Sequence, residues 1–155
     1  MQHMAEKTIP RRESIKIATE APAPLGCYSH AIKANGFLFI SGQGARDART
    51  GKEYGVTLDS AGNVVDYDIS EQTRAVINNL RIVLKHSGCT LKDLVEVNVF
   101  LKDMSDFAEY NAIYAEYFSF EDPPARTTVQ VAGLPGNNFI EIKATALCPT
   151  EPSQT

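Results

Sequence analysis

The chain has 155 residues, of which 15 are Lys or Arg and 19 are Asp or Glu, so its formal net charge is −4. With 43% apolar and 22% charged residues, this composition excludes a wholly disordered protein and fits one ordinary folded domain. The acidic balance argues against a nucleic-acid partner, because affinity for the phosphate backbone comes from clustered Lys and Arg. No apolar run approaches the roughly 20 residues of a membrane span, and the N-terminal residues show no apolar segment typical of a secretory signal. We therefore expect a cytoplasmic protein without a membrane partner.

The two ends of the chain are poor in residues that a core would bury. Residues 1–13 and 149–155 are predicted to be an N-terminal and a C-terminal tail, and residues 14–148 a single domain. The three cysteines and three histidines show neither a CxxC pair nor a Cys/His ligand cluster, so we expect reduced thiols and no metal site. The usual motifs for dinucleotides, nucleoside triphosphates, zinc proteases and serine hydrolases are missing, and no cofactor is expected.

The first half of the chain predicts strands followed by a loop. Apolar alternation indicates three short strands, at residues 14–18, 27–33 and 37–41. The pair Asn35 and Gly36 separates the last two, and such a pair tolerates the positive φ angles of a tight type I′ hairpin. Residues 42–66 are rich in Gly, Asp, Asn and Thr and predict a long loop at the end of the third strand.

The second half predicts two helices and three strands. A helix over 69–87 follows from the capping pair Asp68 and Glu71, from apolar residues at helical spacing, and from Gly88 just beyond its end. Ser105 is expected to cap a second helix with an aromatic stripe. Alternating segments predict strands at residues 94–101, 126–132 and 139–147. The order β-β-β-α-β-α-β-β indicates an α+β domain with both helices on one face of a mixed sheet.

Two charged residues depart from the strand patterns. Arg126 opens a strand directly after Pro-Pro-Ala, and a guanidinium held on a rigid element is a planar fork for a substrate carboxylate. Glu141 lies between Ile140 and Ile142, so it faces away from them and can orient a water or accept its proton. From the pattern alone, a surface ion pair for the arginine and a solvent-exposed glutamate remain open.

Five ordered blocks of sequence resemble the RidA/YjgF family, in register from residue 21 to residue 147. They are residues 26–31 (GCYSHA), 39–43 (FISGQ), 71–73 (EQT) with Asn79 and Leu80, 100–104 (FLKDM) with Asp106, Phe107, Tyr110 and Asn111, and 124–131 (PARTTVQV) with Leu134, Pro135 and 140–142 (IEI). The resemblance implies a chorismate-mutase-like subunit that assembles as a homotrimer, with clefts between neighbouring subunits.

Active members of that family hydrolyse reactive enamines or imines of 2-amino acids to 2-oxo acids and ammonia, without a metal or organic cofactor. The resemblance then makes Arg126 the residue that binds the substrate carboxylate and Glu141 the catalytic residue that positions the attacking water. It implies that four further residues bind substrate: Tyr28, Asn111, Gly42 through its N–H, and Thr128, where many members carry cysteine. Buried packing is the alternative for Tyr28 and Asn111.

Residues 53–77 and the Arg-Thr-Thr-Val form of the arginine segment are similar to the bacterial 2-aminomuconate deaminases of this family. The implied reaction is the conversion of 2-aminomuconate to 4-oxalocrotonate in the catabolism of aromatic compounds. The second carboxylate of that substrate needs another polar contact, for which Arg46, Arg49 and Lys52 are candidates, and solvated loop charges are the alternative explanation of these three residues. The alternatives are a generic 2-iminobutanoate/2-iminopropanoate deaminase and a non-catalytic trimeric binder of small ligands.

Overall fold

The computed structural model describes residues 11–149, in which two helices pack on a six-stranded sheet. The strands are β1 Arg12–Ile15, β2 Ala31–Ala34, β3 Phe37–Gln43, β4 Val56–Leu58, β5 Val64–Tyr67, β6 Leu94–Leu101, β7 Ala125–Gln130 and β8 Ile140–Leu147, and the helices are α1 Ile69–His86 and α2 Phe107–Phe118. The large sheet has the order β1-β2-β3-β8-β6-β7, and only its β6 and β7 run parallel. The predicted α+β fold with two helices on a mixed sheet is confirmed.

The core lies between α1 and one face of the sheet. The helix buries an apolar stripe that includes Val76, Leu80 and Leu84, and the sheet supplies Leu38 from β3 and Ile142 from β8, all fully buried. Burial of each such side chain stabilises the fold by about 1.5–3 kcal/mol before entropy is counted. The other face of the sheet is open, since its apolar side chains remain exposed: Phe37, Phe39, Val129 and Leu147.

Three local predictions are confirmed because their signals act over only a few residues. Asn35 and Gly36 have φ angles of 50° and 82°, as a type I′ hairpin between β2 and β3 requires. The carboxylate of Asp68 accepts the backbone N–H of Glu71 at the start of α1. Gly88 follows the helix with φ at 77°.

The prediction of a structureless loop over 42–66 is wrong. The segment contains β4 and β5, which form an antiparallel ribbon, and a bridge between Arg46 and Glu53. The carboxylate of Asp59 accepts the backbone N–H groups of Ala61 and Asn63 and so closes the tip of the ribbon. Strands of three and four residues are too short to produce a readable alternation.

Several boundaries also differ from the predictions. The first strand, β1, begins at Arg12, inside the segment predicted as a tail, and β2 begins at Ala31 rather than at residue 27. Ser105 does not cap α2, because it lies in a 3₁₀ turn before the helix, where its own N–H donates to the carboxylate of Asp103. Residues 1–10 and 150–155 of the predicted tails lie outside the described residues. Among residues 11–149, neither helix is both long and apolar enough to span a bilayer.

Candidate active site in two halves

Arg126 lies on the edge strand β7, and its side chain faces α2. It pairs in register with Val97 of β6, whose side chain is in the core beneath the helices. Its Nη1 donates a hydrogen bond of 2.8 Å to Oδ1 of Asn111, and its Cζ lies 4.6 Å from the ring centroid of Tyr114. No carboxylate of the described chain lies within 4.0 Å of it. The guanidinium is therefore oriented, but its charge is unpaired among residues 11–149. The alternative of a surface ion pair for Arg126 is thus excluded within the described chain.

Thr128 and two tyrosines complete this half of the site. The hydroxyls of Thr128 and Tyr110 form a hydrogen bond that ties β7 to α2. The hydroxyl of Tyr114 is buried and finds no hydrogen-bond partner among the described residues. Its burial raises the pKa of the Tyr114 phenol to about 12. Arg126, Asn111 and Thr128 thus form one cluster, which we call the arginine half-site.

Glu141 lies on the opposite face of the sheet. Its neighbours Ile140 and Ile142 are fully buried on the helix side, and successive side chains of a strand point to opposite faces. The side chain is half-buried on the open face, in register with Phe100 of β6. Burial raises the pKa of the Glu141 carboxyl above its usual value. The carboxyl group is thus adapted to hold a proton closer to neutral pH than a solvated glutamate does.

A bulge in β3 brings the backbone of Gly42 against this carboxylate. Between Ile40 and Gln43 the strand carries one more residue than its partner β8. A Cβ atom at Gly42 would lie 2.8 Å from Oε2 of Glu141, so only glycine leaves the carboxylate where it is. Bulges often re-aim a chain beside a functional site.

Glu141 and Gly42 line a cavity of about 200 Å³ with Tyr28, Arg46, Pro135 and Asn138. Tyr28 is about half exposed, and its hydroxyl accepts the N–H of Leu25 at 3.0 Å. We call this cluster the glutamate half-site. The three candidates for binding a second carboxylate lie in different places. Arg49 pairs with Asp47 and lines a different cavity, and Lys52 is exposed. Of the three, Arg46 alone lines the cavity of Glu141.

The two half-sites do not meet within one chain. Arg126 shares the helix face with Val97, while Glu141 shares the open face with Phe100. The strand β6 also lies between β7 and β8. One copy of the chain therefore presents two incomplete clusters on opposite sides of its sheet.

Sequence reasoning missed the amides that position the glutamate half-site. Oδ1 of Asn138 accepts the N–H of Ala45 at 2.7 Å, and its Nδ2 donates to the carbonyl of Pro135 at 2.8 Å. Nδ2 of Asn79 donates to the carbonyls of Gly44 and Arg46, each at 2.9 Å. Asn79 lies within the apolar stripe of α1, three residues after Val76, and a buried amide at such a position is the signal that could have revealed it.

Histidine and cysteine supply structure rather than ligands in the described chain. Nδ1 of the buried His30 accepts the N–H of Ile17 at 3.2 Å, so its Nε2 carries the proton and donates to the carbonyl of Pro22 at 2.9 Å. The Sγ atoms of Cys89 and Cys148 lie 3.9 Å apart, and both thiols are free. Within residues 11–149, no three His, Cys, Asp or Glu side chains lie close enough together to hold a metal ion.

Comparisons with known proteins agree on one family. Residues 18–148 match the family described as Endoribonuclease L-PSP. The chain is 47% identical over 126 residues to a RutC family protein of Pyrococcus horikoshii, covering 81% of this chain and 90% of that one. It is 38% identical over 130 residues to the 2-iminobutanoate/2-iminopropanoate deaminase of Mus musculus, covering 83% and 87%. The crystal structure of E. coli TdcF with bound serine superposes with a TM-score of 0.75 at 27% identity, covering 88% and 100%.

Proposed function

The chain belongs to the Endoribonuclease L-PSP family, which is the RidA/YjgF family, and on this premise we propose that it is a hydrolytic deaminase. Its substrates are 2-imino acids and the enamines that tautomerise to them, and its products are 2-oxo acids and ammonia. One observation carries the proposal: an oriented, unpaired guanidinium and a half-buried carboxylate beside a cavity are presented by the same fold. The name of the mouse relative supports the same chemistry.

The proposed site is completed by a second copy of the chain. Arg126 and Glu141 lie on opposite faces of the sheet, so they act on one substrate only when two copies bring unlike half-sites together. The exposed apolar residues of the open face support such an assembly, because large apolar patches mark protein contacts. The family resemblance favours a closed homotrimer with three equivalent sites.

The reaction then follows from the two half-sites. Arg126 binds the substrate carboxylate through two parallel N–H···O bonds and so fixes which face of the imine carbon is open. Glu141 accepts a proton from a water molecule while the oxygen of that water bonds to the imine carbon. The carboxyl group returns this proton to the imine nitrogen, which gives a neutral carbinolamine. Glu141 then accepts the proton of the new hydroxyl group and passes it to the amino group, so the C–N bond breaks, ammonia leaves and the C=O bond of the 2-oxo acid forms. A carboxyl whose pKa is raised by burial suits these proton transfers.

The remaining residues have supporting roles in this proposal. Asn111 orients the guanidinium of Arg126 through the hydrogen bond that it accepts from Nη1. Thr128 holds α2 against β7 through its hydrogen bond with Tyr110. Gly42 keeps the space that the Glu141 carboxylate occupies, and its N–H faces the substrate. Tyr28 forms the outer wall of the cavity.

Short 2-imino acids are the first substrates to test. The mouse relative, 38% identical, is named for 2-iminobutanoate and 2-iminopropanoate, which favours a housekeeping deaminase over the 2-aminomuconate reading. The conversion of 2-aminomuconate to 4-oxalocrotonate is the second candidate, and the presence of Arg46 beside Glu141 favours it. The third candidate is a non-catalytic binder of small ligands, a function that would not require Glu141.

The decisive test mixes two inactive variants. Arg126→Ala and Glu141→Gln are each expected to lose ammonia release from 2-iminobutanoate generated in situ by an amino-acid oxidase. After unfolding and refolding as a 1:1 mixture, hybrid trimers regain one intact site each, and about one quarter of wild-type activity returns. A mixture as inactive as its components, with hybrids verified by mass, would contradict the shared site. An inactive wild type that still binds 2-oxobutanoate would favour the binder.

A further inference from the structure

We propose that Arg46 is a specificity-determining residue that binds a second, distal carboxylate of the substrate. The site would then prefer 2-imino or 2-enamino dicarboxylates over monocarboxylates, whatever the exact chain length. This inference rests on the proposed deaminase function, and it adds the substrate class to it.

The backbone fixes where the side chain of Arg46 starts. The residue forms an antiparallel bridge with Glu53, and its carbonyl accepts a hydrogen bond of 2.9 Å from the buried amide of Asn79. It borders the cavity of Glu141 and also a smaller one of about 30 Å³ that shares Tyr28 and Gly42 with the first. Arg46 therefore lines both cavities of the glutamate half-site.

The charge of Arg46 is not neutralised by the described chain. Arg49 and Arg74, the nearest comparable arginines in the sequence, form ion pairs with Asp47 and Glu116. No carboxylate among residues 11–149 comes within 4.0 Å of Arg46. This includes the carboxylate of Glu141, which lines the same cavity. Because a partly buried cation without a counter-ion is unfavourable, an anionic ligand bound beside Arg46 would stabilise the site.

Arg46 also has donors to spare. Its Nη2 donates to the carbonyl of Ala23 at 2.7 Å, which holds the guanidinium in one direction. A guanidinium offers five N–H donors in a planar fork, so enough remain for a carboxylate. The contact with Ala23 orients the group in the way that Asn111 orients Arg126.

The two arginines would bind opposite ends of one substrate. In the proposed assembly, Arg126 of one copy binds the carboxylate next to the imine carbon, and Glu141 of the other copy acts on that carbon. Arg46 lies on the glutamate side, so it meets the far end of the substrate's side chain. A substrate with an uncharged side chain of two carbons leaves Arg46 without a carboxylate partner. A dianionic substrate instead places one carboxylate on each arginine.

The competing explanation is that Arg46 only holds residues 22–24 through the carbonyl of Ala23. That role affects every substrate equally, so the test compares two substrates. Arg46→Gln keeps an N–H donor for Ala23 and removes the charge. Arg49→Gln is the matched control, because it removes one positive charge from the same segment outside the cavity.

We would measure kcat/KM on 2-iminobutanoate and on 2-iminoglutarate, both generated in situ by amino-acid oxidases, and on 2-aminomuconate. The wild type should prefer the two dicarboxylates. Arg46→Gln should lower that preference about 10- to 100-fold, mainly through KM, the range expected for losing hydrogen bonds to a charged group. Arg49→Gln should keep the wild-type preference.

The possible failures are distinguishable. Equal losses on both substrate classes, or no loss on either, would overturn the role of Arg46 and leave the deaminase function standing. If the wild type hydrolyses no imine, the deaminase function fails, and calorimetric titration with 2-oxoglutarate and 2-oxobutanoate decides the subsite alone. Tighter binding of 2-oxoglutarate that Arg46→Gln abolishes would support the subsite, and equal or absent binding would overturn it.

Discussion

Gly42 and Glu141 are in direct contact across two strands of the sheet. A Cβ atom placed on Gly42 would meet Oε2 of Glu141 at 2.8 Å and its Cδ at 2.9 Å. The contact arises because the bulge in β3 moves Gly42 toward β8. The backbone of one residue therefore sets the position of the proposed catalytic carboxylate.

Gly42→Ala should lower turnover without destabilising the fold. The added methyl group meets the movable end of a side chain rather than backbone, so Glu141 shifts and the proposed geometry is lost, with kcat falling about 100-fold for an ångström-scale displacement. The melting temperature should change little. Gly133→Ala is the matched control, since nothing lies within 4 Å of its added Cβ. Unchanged kcat in Gly42→Ala would contradict this role.

Asn111→Ala should raise KM more than it lowers kcat. The substitution removes the acceptor that orients Nη1 of Arg126 and leaves the guanidinium over Tyr114 free to rotate, at a cost of about 1 kcal/mol in binding. Steady-state kinetics on 2-iminobutanoate would measure the effect. Asn78→Ala, an exposed asparagine on α1, is the control. An equal loss of kcat would indicate that Asn111 touches the reacting atoms.

Glu141→Gln should alter the pH dependence of stability. Burial raises the pKa of Glu141 in the folded state above its unfolded value, so the folded protein binds more protons. Stability therefore falls as the pH rises from the unfolded pKa through the folded one. The uncharged amide of the Glu141→Gln variant has no such cost, so its melting temperature should gain on the wild type over the pH range above the unfolded pKa of about 4.3. Parallel melting curves across that range would refute the desolvation of Glu141.

Asn138→Ala should destabilise the protein by about 1–3 kcal/mol, because the buried N–H of Ala45 loses its acceptor and the carbonyl of Pro135 its donor. Denaturant unfolding would measure the loss. Asn137→Ala is the neighbouring control, since the contacts of that residue with Glu53 and Gln72 use its backbone. Activity should fall as well, because Asn138 lines the cavity of Glu141.

Short-range signals predicted most of the elements. The hairpin at Asn35 and Gly36, both ends of α1 and the strand β6 followed from a few neighbouring residues each. Val95 shows the limit of pattern reasoning, because alternation predicts it on the buried face with Val97. A bulge between Leu94 and Glu96 leaves it exposed, and a bulge depends on the partner strand as much as on β6.

The sequence by itself determined the α+β class, the two helices and the candidate residues Arg126 and Glu141, because strand alternation and helical spacing are local properties. Only the tertiary structure decided that these two side chains lie on opposite faces of the sheet and belong to separate half-sites. It also separated Arg46 from Arg49, two residues of similar chemistry in one segment. The physical reason is that the face of a strand, and the cavity that a loop residue reaches, depend on pairing between segments far apart in the chain, here β3 with β8 and β6 with β7.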